Sequence, residues 1–338
     1  MKTPKINWVS DFPDGELEKY IPSGEETVLV AIDTEYTRHS EFSNLCLSYQ
    51  FSVLDCATGN YMKKIYYPEL VTEVRLTLKE ILLQVFRMMS ISSRKMNGYH
   101  VMFICHFCSA EWAMMHDRKE TSKYLEFLYK TVITFKPIEV TFEDSEGVSC
   151  AITFEVGDTM LLLPPTHRSL EKASSLLDEK FHKKELTQFE KEHMNSLLQT
   201  DPERFYEYAI HDADITLRLF IKLQYTLNKM NGSENTRYTT IGSATVKHFV
   251  KAMDKKIFKS QFSKRNKIYQ DGLNLAKRAY MGGLNSSYFV GELEGELFID
   301  ADFSGAYPTV MNLLEVSDFG KPIVKVKDDP FSLGDIDD

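Results

Sequence analysis

The sequence predicts an α/β fold, on three observations. Short apolar runs bounded by charge or turn residues read as buried strands. The first three lie close enough in the chain to pair as an antiparallel set. After them, apolar residues at helical spacing alternate with further strand-like runs. Together they predict a mixed sheet flanked by helices over residues 25–230.

Residues 28–33 are short, β-branched and ended by charge, as a buried strand is. Cys46–Leu54 and Tyr61–Tyr67 are two more strands, and the turn Asp55-Cys56-Ala57-Thr58-Gly59-Asn60 between them predicts a hairpin. Val74, Leu76, Leu78, Ile81, Leu82, Val85 and Phe86 fall at helical spacing, predicting a helix over 72–91. Val101–Cys105 and Ala151–Val156 are the fourth and fifth strands. Helices are expected at 169–178, 186–198 and 202–229. The polar stretch 231–235 contains glycine and marks a boundary. Three segments result: an α/β domain over 1–230, a basic connecting region over 231–295, and the beginning of a further domain over 296–338.

The 338-residue chain is 43% hydrophobic and 12% aromatic, which suits a packed core and excludes a mainly disordered chain. No apolar run approaches the ~20 residues that span a bilayer. The amino terminus lacks the apolar stretch of a secretory signal, so a cytoplasmic protein without membrane contact is expected. Five cysteines fit reduced thiols better than a disulfide framework. The lone Cys105-x-x-Cys108 has no second ligand pair at zinc spacing. A net charge of −9 disfavours non-specific duplex binding. The stretch from Lys247 to Arg278 departs from that balance, with ten Lys or Arg opposed only by Asp254 and Asp271. It reads either as a solvated helix face or as a groove that tracks a nucleic-acid backbone.

Four acidic positions are candidates for the chemistry; taken singly, Asp33 and Glu35 also read as a solvated strand end, and Tyr208 with Asp212 as a core tyrosine beside a surface aspartate. Asp33 and Glu35 flank Thr34 and project from one side of an extended strand, because side chains alternate with period two. Glu111 follows the apolar run Val101-Met102-Phe103-Ile104. Tyr208 and Asp212 are four residues apart on an expected helix and share a face. Carboxylates in such places bring enough charge to hold two divalent ions about 3.5–4 Å apart, the arrangement that hydrolyses phosphodiesters. Tyr208 is placed to hold the attacking water or help deprotonate it. His106 either positions the loop or the substrate, or is a core or capping histidine. Asp214 is two positions on and points elsewhere.

Taken together, Asp33-x-Glu35, His106-x4-Glu111 and Tyr208-x3-Asp212 resemble the three exonuclease motifs in the proofreading domain of family B DNA polymerases. The resemblance implies a ribonuclease H-like 3′–5′ exonuclease domain with a mixed sheet. It implies two Mg²⁺ or Mn²⁺ ions on Asp33, Glu35, Glu111 and Asp212, and the 3′ ends of single-stranded DNA as substrate. The second motif departs from the family pattern, which has aspartate after an aromatic residue and asparagine four positions earlier. Here Glu111 follows Ala110, and Phe107 holds the asparagine position. Asp158-Thr159-Met160 and Ser169-Leu170 resemble segments that contact single-stranded DNA in the protein-primed branch. By that resemblance His106, Thr159 and Ser169 contact DNA, and Arg168 and Lys172 neutralise the scissile phosphate. An ordinary loop with Ser169 as a helix cap is the alternative.

Near the carboxyl end, Asp302-Phe303-Ser304-Gly305-Ala306-Tyr307-Pro308 resembles motif A of the family's palm, with Gly305 and Ala306 in place of serine and leucine. The resemblance gives Asp302 a catalytic metal and Tyr307 the nucleotide sugar. Tyr280-Met281-Gly282-Gly283 resembles the Y-x-G-G segment that contacts template DNA, where Tyr280, Gly282 and Gly283 would let the backbone approach a phosphate. The 296–338 segment is then the beginning of a polymerase palm. The later palm and fingers motifs do not follow, so this chain alone is expected not to polymerise. A separate polypeptide carrying the rest of the polymerase is a candidate partner, in a bacterial, phage or plasmid replication context. Two other readings are an inactive DNA-binding half of a split polymerase and a stand-alone RNA exonuclease of the same superfamily.

Overall fold

In the computed structural model, β1 (Thr27–Ser40) is buried on both faces over its first half. Val28, Val30 and Ile32 enter one apolar core, and Leu29 and Ala31 enter another. A strand covered on both sides must divide its side chains in this way. The structure describes residues 24, 26–40, 43–68, 75–91, 96–143 and 147–252, together with 274, 309, 310 and 313. The chain divides into two units, Met1–His248 and Phe249–Asp338, and the described residues lie almost entirely in the first.

The remaining strands are β2 (Ser43–Asp55), β3 (Tyr61–Tyr66), β4 (His100–Cys105), β5 (Glu126–Leu128), β6 (Thr131–Ile133), β7 (Ile138–Glu143) and β8 (Ser149–Asp158). Six of them form one sheet in the order β3-β2-β1-β4-β8-β7, and β5 and β6 form a separate hairpin. The β1–β2, β2–β3 and β7–β8 pairs are antiparallel, while β1–β4 and β4–β8 are parallel. This is an α/β fold with a mixed sheet, consistent with a ribonuclease H-like topology.

One face of the sheet is covered by α1 (Leu78–Met88), which lays Ile81, Leu82, Val85 and Phe86 on the first core. A capping box between Thr77 and Glu80 starts this helix, so it begins later than the apolar spacing predicts. Two short helices, α2 (Cys108–Ala113) and α3 (Arg118–Thr121), follow β4. Phe103 and Phe154 meet edge to face at 4.9 Å between ring centres in the same core.

The helices α4 (Leu170–Ser174), α5 (Gln188–Glu192) and α6 (Met194–Thr200) lead into α7 (Pro202–Asn231), and α8 (Ile241–Ala252) follows it. The single helix expected over 186–198 is two. Thr187 and Glu190 cap α5, and His193 leaves helical geometry (φ −125°, ψ 46°) before α6 starts. The helix expected over 169–178 ends at Ser174. The long α7 starts on the Asp201 cap with Pro202 in its first turn and ends at Gly232 in the left-handed region. It places Leu217, Phe220 and Ile221 against Leu29, Ala31, Met102 and Ile104. Gly157 on β8 permits this approach, because a Cβ there would lie 3.2 Å from the Phe220 ring. β5 and β7 went unpredicted because they are largely exposed and interrupted by charge, and β6 because it is only three residues long.

A buried ion cluster locks α7 to β3. Asp214 accepts hydrogen bonds from the Tyr61 hydroxyl and from Arg218 Nε (2.8 Å), and pairs with Lys63 Nζ at 3.1 Å. Burial alone would raise the Asp214 pKa, but the Tyr61 hydrogen bond and the charges of Arg218 and Lys63 outweigh it and hold the carboxyl below its ordinary 3.8. The stability this supplies is complete above 3.8 and disappears as pH falls through the lower folded value. Asp214→Asn should therefore lower the stability measured by urea unfolding at pH 7 by about 1–3 kcal/mol. The difference should shrink below pH 4; an equal loss at every pH would contradict the assignment.

Candidate active site

The parallel strands β1, β4 and β8 end at different levels. Ala31 pairs with Ile104, so Asp33 and Glu35 lie on the part of β1 that runs past the end of β4. A crevice opens there, at the carboxyl edge of the sheet, where open α/β sheets bind ligands. Asp33 and Glu35 alternate with Thr34 and take the α7 face, where Asp212 meets them. Thr34 points to the opposite face, where its hydroxyl donates to Glu111 Oε2 of α2 at 2.5 Å. Asp33 and Glu35 are half-buried, while Glu111 and Asp212 are buried. The four carboxylates therefore approach β1 from both layers of the fold.

Burial pushes all four carboxyls upward, and repulsion from neighbouring carboxylates adds to it at Asp33, Glu35 and Glu111. Asp33 rises to about 8 through burial first and the charge of Asp212 second. Glu35 rises well above 4.5 through burial and then Asp33 and Asp212. Glu111 rises through burial and then Asp33, against the hydrogen bond from Thr34. Asp212 rises through burial, opposed by Lys183. Such a set cannot carry four negative charges without a cation among them.

Lys183 is a cation in that place, and no sequence spacing pointed to it. It follows α4 in an irregular segment, next to Lys184 in a Lys-Lys doublet, and the fold alone brings it to α7. Its ammonium donates to Asp212 Oδ2 and lies 5.2 Å from the centre of the Tyr208 ring. Burial opposes its charge, yet Asp212, Tyr208 and Asp33 hold its pKa above the ordinary 10.5. Asp212 Oδ1 is buried with no hydrogen-bond partner. All-oxygen carboxylate donors and one orphaned acceptor suit a hard divalent ion in chemical type. Among the described residues, however, no three His, Cys, Asp or Glu side chains converge closely enough to form a metal cage.

A second group sits beside the first. His106 Nδ1 lies 2.7 Å from the Thr159 hydroxyl, and its Nε2 lies 2.8 Å from the Arg168 carbonyl. Asp158 ties this corner together. Its carboxylate accepts from the backbone of Phe107 (3.2 Å), Cys108 (2.7 Å) and Met160 (2.8 Å), and from the Thr131 hydroxyl. Phe107 precedes α2 with φ 75°, a left-handed conformation that a phenylalanine adopts only under constraint. The Arg168 guanidinium lies over the Tyr129 ring at 5.5 Å. Ser169 caps α4 by accepting from the Lys172 backbone, and both side chains are exposed. Thus His106, Thr159 and Arg168 come together, whereas Ser169 and Lys172 do not join them. Tyr280, Gly282, Gly283, Asp302 and Tyr307 lie outside the described residues, as does most of the basic stretch. Among the described residues, no helix is long and apolar enough to cross a membrane.

Residues 166–329 match the family described as DNA polymerase type B, organellar and viral. The matched segment is just under half of the chain. It contains Lys183, Tyr208 and Asp212 and the positions of Asp302 and Tyr307, and it leaves out Asp33, Glu35 and Glu111. No curated protein and no solved structure matches the chain significantly.

The Asp158 carboxylate satisfies three backbone donors that would otherwise be orphaned at the start of α2 and after β8. Asp158→Ala should lower the unfolding free energy by about 2–4 kcal/mol, measured in urea, because several donors lose their acceptor at once. A change under about 0.5 kcal/mol, typical of an ordinary surface site, would show that the corner does not depend on this residue.

Proposed function

We propose that residues 24–248 act as a metal-dependent 3′–5′ exonuclease domain of the family B DNA polymerase type, with single-stranded DNA as substrate. The observation that supports this reading is the placement of Asp33, Glu35, Glu111 and Asp212 around the stretch of β1 that runs past β4, each within the electrostatic reach of at least one other. The family match over residues 166–329 supports it. In this reading the four carboxylates would hold two Mg²⁺ or Mn²⁺ ions, which supply activated water and charge stabilisation. Lys183 pairs with Asp212 and lowers the cost of its charge in the acidic cleft. Tyr208 orients the attacking water, and Thr34 fixes the direction of Glu111. His106, held by Thr159 and the Arg168 carbonyl, orders the loop that carries α2. In the same reading Arg168, Ser169 and Lys172 face the DNA backbone, Tyr280, Gly282 and Gly283 the template, and Asp302 and Tyr307 belong to a palm segment.

A second reading rests on Lys183. Its ammonium already balances Asp212, and the described acidic residues form no ready metal cage. On that basis the chain would bind DNA without cleaving it and serve as one half of a two-chain polymerase.

One assay separates the readings. A 5′-labelled oligonucleotide with a 3′ overhang is incubated with Mg²⁺ or Mn²⁺, in DNA and RNA forms. The native chain should yield a ladder of shortened DNA, and Asp33→Ala/Glu35→Ala should yield none. Lys183→Met should slow cleavage about 100-fold, as removal of one charge-stabilising group does. Intact DNA with the native, folded chain would sink the nuclease reading and favour the second. Faster cleavage of RNA would reassign the substrate.

A further inference from the structure

The β5–β6 hairpin has features that its role in the fold does not require. Its turn residues, Tyr129 and Lys130, both have positive φ, 48° and 70°. Two-residue hairpin turns of this kind normally carry Asn-Gly or Asp-Gly, which adopt that backbone without strain. Here a tyrosine and a lysine occupy it and stand out at the tip. Phe127 is 74% exposed, Tyr129 65% and Phe135 55%, so three large aromatic side chains crowd one short stretch of surface. Strain retained at an exposed aromatic tip argues for a use outside folding.

The surroundings identify the partner. Phe127 pairs across the hairpin with Val132, and Val132 lines a groove with Ser109, Trp112, Arg118, Lys119 and Ser122. Over residues 118–136 the chain carries Arg118, Lys119, Lys123, Lys130 and Lys136 against only Glu120 and Glu126, although the whole chain has a charge of −9. The patch is thus locally basic and aromatic, which is the combination that stacks bases and tracks phosphates. It also adjoins the carboxylate cleft. Thr131 of the hairpin bonds Asp158, which holds the start of α2, and Arg168 bridges from Tyr129 to His106.

We propose that the hairpin tip and this groove form a stacking surface for single-stranded DNA, with bases on Phe127 and Tyr129 and phosphates on Lys130, Arg118 and Lys119. The inference rests on the polynucleotide reading above and adds a site outside the acidic cleft. The strand would cross the hairpin before its end reaches the carboxylates.

The test uses the full chain carrying Asp33→Ala/Glu35→Ala, so that the probe survives, with fluorescein-labelled oligothymidylate and anisotropy in EDTA. Adding Phe127→Ala/Tyr129→Ala should weaken Kd about 10-fold or more, the scale that base stacking supplies. Phe127→Leu should also weaken it, since leucine keeps apolar area but cannot stack. Lys119→Ala/Lys130→Ala should reduce the salt slope by about 0.7 for each phosphate no longer neutralised. All these side chains are exposed, so circular dichroism and thermal midpoints should not move. Unchanged affinity and salt slope, or no binding by the parent chain, would overturn the proposal. Affinity kept in Phe127→Leu would overturn the stacking role. Cleavage by the native chain, measured in parallel, keeps the two proposals apart. Binding that depends on the hairpin without cleavage upholds this surface and removes the nuclease reading. Cleavage with binding independent of the hairpin does the reverse.

Discussion

The burial of β1 on both faces, combined with its extension past β4, governs the rest of the molecule. Period-two alternation sends Val28, Val30 and Ile32 toward α1, and Leu29 and Ala31 toward α7. The same alternation then continues into polar residues, so Asp33 and Glu35 inherit the α7 face and Thr34 the α2 face. Because β4 ends before this point, the space on that side of Asp33 and Glu35 is not filled by a strand, while β2 still pairs with them on the other. A one-residue slip in β1 would exchange both faces at once, placing carboxylates in one core and apolar groups in the crevice. Core packing and site geometry therefore rest on a single register.

Placing four acidic side chains around the end of β1 creates an electrostatic problem that shapes the second tier of the structure. Burial and mutual repulsion both favour protonation, and only opposite charge or hydrogen bonding relieves them. Thr34 supplies a hydrogen bond to Glu111. Lys183 supplies charge to Asp212, and the aromatic face of Tyr208 beneath it adds a further favourable contact. The loop that bears Lys183 is anchored through apolar contacts of Phe181 with Leu219 and Ile215 of α7, two turns or less from Asp212. Asp214, on the same helix, has an opposite fate. It faces Tyr61, Lys63 and Arg218, which hold it ionised and commit it to structure. Two aspartates two residues apart thus differ because a helix turns them toward different neighbours.

Asp158 plays an analogous part for the other side of the crevice. One carboxylate at the end of β8 gathers the start of α2, the turn after β8 and the hairpin. The loop with His106, the α2 helix with Glu111 and the exposed aromatic tip are thereby held as one corner. A polar hub of this kind is stable only when every acceptor position is used, and here four donors fill it.

Five of the six strands of the central sheet, the long α7 and the local spacing of the acidic residues were legible in the sequence, because each follows from a local rule. Apolar runs mark the strands, helical spacing marks α1 and α7, and the pairing of Asp33 with Glu35 or Tyr208 with Asp212 follows from the period of one element. The break at His193, the late start of α1 and the β5–β6 hairpin were hidden because caps, turns and short half-exposed strands carry weak apolar signals. Lys183 could not be found in sequence at all. Its position depends on how the irregular segment after α4 packs on α7, a long-range contact with no local signature. The same holds for the placement of Glu111 on the opposite face from Asp33 and for the link from Arg168 to Tyr129. Residue types and their periodicity determined which groups this protein could use. Only the tertiary structure decided which of them meet, because contacts across tens of residues are set by the packing of whole layers.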